Sequence, residues 1–169
     1  MDNELLFLVL LPASLFDLYR YRIPNAIPVS GIIIGLIRHL ELQGLNGVWP
    51  WLTGMIVPLF LFYLLHRFRM FGAGDGKLLA AVGAFVGLPR VFFVLFFSLL
   101  TGAFLSVIKL LVHRNLRARF EYLCSYTNAV ISGQKVIPYY DKKSDGDDGV
   151  IPFGVAISFG TLSAALFFE

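Results

Sequence analysis

One cysteine, Cys124, is all the chain has, so no disulfide framework can form within it and no cysteine pair is present to hold zinc. Cys124 itself reads as a plain, partly buried residue. Charge is scarce as well: 15% of the residues are Asp, Glu, Lys or Arg against 57% hydrophobic, and the mean hydropathy is +0.76. That balance excludes an ordinary soluble domain of 169 residues and fits a polytopic membrane protein. Histidine is limited to His39, His66 and His113, which stand at the ends of apolar runs without ligand spacing, so they are expected at the interface and not in a metal site. A basic leader is missing too. Met1-Asp2-Asn3-Glu4 is acidic, so the first apolar run is expected to be kept as a span and not cleaved. The net charge of +3 and pI near 9.1 are not gathered on one basic face, which excludes nucleic acid as a partner.

What the chain does have is apolar runs, at about 5–19, 26–37, 48–65, 78–88, 91–112 and 151–168. They predict an all-α, polytopic membrane helix bundle with about six transmembrane helices, a single domain over 1–169 set in a lipid bilayer. The third, fifth and sixth runs approach the roughly 20 residues a helix needs to cross the hydrocarbon core. The first, second and fourth are shorter and must borrow from their flanks, which draws Asp17 and the stretch Gly74-Asp75-Gly76-Lys77 to membrane depth. If every run spans, twelve of the fourteen Lys and Arg residues fall on one side, with only Arg38 and Arg90 on the other. The positive-inside rule then places both termini outside and Asp17 and Asp75 at the cytoplasmic edge.

Small residues recur at four-residue spacing in Gly31 and Gly35, in Gly76, Ala80 and Ala84, in Gly83 and Gly87, and in Ser98, Gly102 and Ser106. Such seams let helix backbones approach closely. Pro58 is expected to kink or loosen the third helix. The polar stretch at about 113–149 reads as a cytoplasmic loop, in which Leu116, Phe120, Leu123, Thr127 and Val130 predict an interfacial amphipathic helix. Its acidic end, from Asp141 to Asp148, fits no EF-hand spacing and is assigned no metal.

A carboxylate at membrane depth costs roughly 2.5–3.5 kcal/mol on insertion scales, so Asp17 and Asp75 are where chemistry is expected. Paired carboxylates hydrolyse a peptide bond when one, ionised, takes a proton from water while the other, protonated, hydrogen-bonds the substrate carbonyl. Two like charges in a poorly solvated site favour that division, and the pair titrates as a dyad. Gly72 and Gly74 allow backbone conformations closed to other residues and a close approach to Asp75. Simpler readings stand beside this one: Asp75 as an N-cap, Asp17 paired with Arg20, Asn25 as the cap of the second helix after Pro24, and Lys77 as an interfacial anchor.

Asp17 followed after five residues by Ile23-Pro24-Asn25, then Gly72-Ala73-Gly74-Asp75-Gly76-Lys77-Leu78, then Ile151-Pro152-Phe153-Gly154-Val155-Ala156-Ile157, resembles the type IV prepilin peptidases, membrane aspartyl proteases of the GxGD type. The resemblance implies that Asp17 and Asp75 are the catalytic pair, supported by Ile23, Pro24, Asn25, Gly72, Gly74, Gly76, Lys77, Pro152 and Gly154. It implies a prepilin-like substrate whose short basic leader is cut at the cytoplasmic membrane face, typically after a glycine and before an apolar stem. No cofactor or metal is implied. Many members carry an N-terminal domain with paired CxxC cysteines associated with N-methylation. This chain opens directly on its first run, so it is similar to the compact, peptidase-only branch of tight-adherence pilus or preflagellin peptidases, and methyltransferase activity is not expected. The competing class is a small proton- or cation-coupled transporter component in which the two aspartates line a polar path.

Overall fold

The computed structural model describes residues 3–67, 72–112, 124, 125, 128, 132 and 152–167. Among them the regular elements are all helical: α1 (Asn3–Arg20), α2 (Ala26–Gln43), a single 3-10 turn (Gly44–Gly47), α3 (Val48–Arg67), α4 (Ala73–Val86), α5 (Arg90–Val112) and α6 (Phe153–Phe167). The chain divides into two compact units, Met1–Gly102 with Pro152–Glu169, and Ala103–Ile151. The amphipathic helix expected at about 113–149 lies outside the described residues. Cys124 is exposed, not partly buried, because it stands in the polar stretch and not on an apolar helix.

Each apolar run became a helix, but the lengths differ from those expected. α1 and α2 have 18 residues each, because Asn3, Glu4 and Arg20 around the first run and residues 38–43 after the second continue the helix instead of ending it. α4, with 14 residues, stays short, and α6, with 15, is shorter than its apolar run. α4 starts at Ala73 and so takes in Asp75, as the sequence required. α3 runs through Pro58 as one helix. Among the described residues, two stretches are long and apolar enough to cross a membrane, Ala26–His66 and Arg90–Lys109.

α4 is the hub of the first unit, packing against α1, α2, α3 and α6. Its residues from Leu78 to Phe85 are all buried, which suits a helix apolar on every face. The core is completed by Leu6, Val9, Leu10 and Ala13 of α1, Phe62 of α3, Val94 of α5, and Ile157 and Ala164 of α6. Large apolar side chains also point outward, among them Leu8, Leu11, Phe60, Phe96 and Leu166. Outward apolar faces of this kind suit a lipid surround.

The small-residue seams are close helix contacts. A Cβ on Gly35 would lie 2.8 Å from the Ala84 carbonyl oxygen, and one on Gly31 would lie 3.1 Å from the Ala81 Cβ. Gly54 and Gly83 face each other between α3 and α4 so closely that neither has room for a side chain. His39, near the end of α2, is buried, and the 3-10 turn folds Gly47 back onto its carbonyl. Gly87, with φ at 71°, ends α4 in a conformation that favours glycine.

Candidate active site

Asp17 lies three residues before the end of α1 and is only 6% exposed. Its carboxylate Oδ2 accepts a hydrogen bond of 2.6 Å from the backbone N–H of Gly154, in the first turn of α6. The first N–H groups of a helix have no partner within it, so α6 offers Asp17 donors that the interior of a helix lacks. Gly154 must be glycine for this, since a Cβ there would lie 2.8 Å from Asp17 Oδ2 and 3.2 Å from both the Cβ and Cγ of Asp17. The pairing of Asp17 with Arg20 is not what the structure shows: Asp17 turns inward to α6, while the Arg20 guanidinium lies over the Phe16 ring, 6.0 Å from its centre.

Asp75 sits in the first turn of α4, as its third residue and not as its N-cap; that position belongs to Gly72. From there its carboxylate reaches back to the Gly72 N–H, the half of a capping box that a third-position acid makes. Gly72 is extended, with φ at −69°, and so does not use the freedom special to glycine. What glycine supplies is clearance, because a Cβ would lie 3.0 Å from Asp75 Oδ2. Gly74 is not constrained in that way, its nearest neighbour being the Ile23 Cβ at 3.7 Å. Gly76 is buried against Phe62, whose Cβ would be 2.7 Å from an added Cβ.

Packing draws Asp17 and Asp75 to one place: Asp17 meets Gly154, the neighbouring Phe153 ring lies 6.4 Å from that of Phe62, and Phe62 packs on Gly76 beside Asp75. The structure thus brings both aspartates to one end of the first unit, although 58 positions separate them in the sequence. The remaining motif residues gather around them. Asn25 holds the N-cap position of α2 but makes no side-chain cap bond; its Oδ1 instead accepts a 2.8 Å hydrogen bond from Lys77 Nζ. Lys77 is therefore joined to Asn25, whose side chain reaches across to α4 and does not cap its own helix. The Pro24 carbonyl accepts from Ile27 N–H at 3.1 Å and the Pro152 carbonyl from Val155 N–H at 3.2 Å, so each proline shapes the entry to a helix. Ile23 packs on the core.

Three residues outside the motifs, Ser14, Ser158 and Phe62, support the site together with Phe153 of the third motif. Ser14 Oγ and Ser158 Oγ are 2.6 Å apart, tying α1 to α6 one turn behind the contact between Asp17 and Gly154. One hydroxyl donates to the other, and the accepting serine donates along its own helix, either Ser14 to the Leu10 carbonyl at 2.9 Å or Ser158 to the Gly154 carbonyl at 3.1 Å. The rings of Phe62 and Phe153 lie 6.4 Å apart at 36°, beside Gly76 and Gly154. The serine spacing was readable: Ser14 precedes Asp17 by three residues and Ser158 follows Gly154 by four, so each shares a helix face with its neighbour. Among the described residues no group of His, Cys, Asp and Glu is placed to hold a metal ion.

The type IV leader peptidase family model matches residues 5–107, which includes both aspartates and ends before α6. No curated protein and no solved structure matches the chain. The transport reading gains no support from the match.

Proposed function

The chain belongs to the type IV leader peptidase family, and from that premise we propose that it is a membrane aspartyl endopeptidase whose catalytic pair is Asp17 and Asp75. Membership implies a peptidase, and the observation that carries the assignment is the meeting of two acids at the end of an apolar bundle. A buried carboxylate such as Asp17 is costly unless it is used or satisfied.

The chemistry follows from the pair. The ionised carboxylate takes a proton from water, whose oxygen adds to the scissile carbonyl carbon. The protonated carboxyl donates to the carbonyl oxygen as the tetrahedral intermediate forms. Collapse of that intermediate breaks the C–N bond, and the leaving amine takes up a proton, leaving the dyad with one proton again. The substrate is a prepilin-like protein, whose basic leader stays in water while its apolar stem enters laterally among the helices. Six spans with both termini outside put this site at the cytoplasmic face, as the placing of the basic residues favours.

The test incubates purified wild type, Asp17→Asn and Asp75→Asn with a tagged prepilin in detergent and identifies the new N-terminus by mass spectrometry. Asparagine keeps the shape of each side chain and removes its acid–base chemistry. Release of the leader by wild type alone is expected. Cleavage by either variant at the wild-type rate would remove that aspartate from the pair.

A further inference from the structure

The link between α1 and α2 is five residues long, 21–25, and its first, middle and last residues are each tied either to Asp17 or to the residues around Asp75. At its start the Tyr21 N–H donates to the Asp17 carbonyl at 2.9 Å, and Tyr21 turns the chain with φ at 49°. In its middle Ile23 meets Gly74. At its end Asn25 accepts from Lys77 Nζ at 2.8 Å. Gly74 and Lys77 stand on either side of Asp75 in α4. One short segment is thus covalently continuous with the helix of one carboxylate and clipped, at two points, to the turn that bears the other.

Asn25 makes this contact at the expense of a local one. At an N-cap position an asparagine side chain ordinarily accepts from the backbone of its own helix, and here it makes no such bond. Its carbonyl oxygen receives a charged donor from a helix 52 residues away in the sequence. Ammonium donors form stronger hydrogen bonds than neutral ones, although both partners are exposed and the bond is correspondingly easy to open.

We propose that segment 21–25 and the first turns of α4 form a clasp that sets the separation of the two carboxylates, with Lys77 as a positioning residue acting through Asn25. The inference rests on the reading of Asp17 and Asp75 as the catalytic pair. Lys77 does not touch the reacting atoms; it fixes the turn that carries Asp75 against the segment leaving Asp17.

Two experiments test it. In the cleavage assay, Lys77→Met and Asn25→Ala are each expected to lower kcat about tenfold with KM within about twofold, since small misplacements of reacting groups are costly. The double variant is expected to be no slower than either single one, and Lys77→Arg, which keeps a donor, recovers part of the rate. Losses that multiply in the double variant, an unchanged kcat, or a raised KM with kcat intact would overturn the proposal, the last by making Lys77 a substrate contact.

The second experiment needs no catalysis. In a Cys124→Ser background, Ile23→Cys with Gly74→Cys brings together Cβ positions that stand 3.7 Å apart, within the roughly 3.5–4.5 Å range of disulfides. Mild oxidation is expected to link them, and Lys77→Met to slow the linking several-fold. Equal rates with and without Lys77 would sink the clasp even if the wild type cut no prepilin, an outcome that would itself tell against the function proposed above.

Discussion

The contact between Gly154 and Asp17 allows the sharpest test of how the site is held. Gly154→Ala puts a methyl group 2.8 Å from Asp17 Oδ2 where ordinary contact begins at 3.4 Å, so the carboxylate or α6 must give by about 0.6 Å. The carboxylate cannot simply swing aside, because the same methyl is 3.2 Å from Asp17 Cβ, the stem of the side chain. A 2.6 Å hydrogen bond from Gly154 N–H is therefore stretched or lost, and bonds to charged groups contribute roughly 1.5–3 kcal/mol. Misplacement by about 1 Å costs on the order of a hundredfold in rate, so a kcat loss of roughly ten- to a hundredfold is expected. Gly160→Ala is the comparison. Its methyl would lie 2.7 Å from the Ser98 Cα, a backbone atom of α5, but it does not face Asp17. It should cost about 1–3 kcal/mol of stability through overpacking while leaving turnover of the folded fraction within about twofold. The assay pairs cleavage of a tagged prepilin in detergent with the Tm of each variant. Gly154→Ala turning over like wild type, or both variants losing activity only in proportion to Tm, would refute the argument that Gly154 positions Asp17.

Three other glycines separate packing from catalysis. Gly76→Ala sets a methyl 2.7 Å from the Cβ of Phe62, which is 2% exposed and has little room to move; a loss of about 1–3 kcal/mol is expected, read as a lowered Tm. Gly35→Ala meets the backbone of Ala84 at 2.8 Å and should lower Tm by a similar amount, yet leave kcat of the folded protein unchanged because it lies on α2 well away from the aspartates. Gly74→Ala has only ordinary contacts, the nearest at 3.7 Å, so helix propensity should keep stability level or raise it by up to about 1 kcal/mol. Loss of cleavage in that variant with an unchanged Tm would mean that the substrate backbone passes over Gly74.

Helix positions were legible in the sequence because composition alone marks long apolar runs, and the seams through Gly31, Gly35 and Gly83 were legible because close packing leaves a four-residue period. Asp17 and Asp75 stood out by the cost of their charge. The partners of polar side chains were not readable, since these depend on which helix ends meet. Asn25 and Lys77 each had a sensible local role, cap and anchor, and the fold gave them to each other. Asp17 had Arg20 within one turn and found Gly154 instead, 137 residues away. His39 stood at the end of an apolar run and is buried beside the 3-10 turn that follows α2, whose geometry the run did not encode.

The place of the site follows from where a helical bundle has hydrogen bonds to spare. Along the interior of an α-helix each N–H is already bonded, so an acid set there would find no backbone donor. Helix N-termini leave their first N–H groups open and carry partial positive charge. Asp75 uses the N-terminus of its own helix, through Gly72, and Asp17 uses that of α6, through Gly154. Here those donors come from the N-termini of α4 and α6, with Asp17 reaching α6 from the end of α1. Glycine at positions 72 and 154 lets the carboxylates reach those donors without striking a side chain. This accounts for the grouping of glycine and aspartate in the second motif and also for the distant third one, whose glycine serves the aspartate of the first.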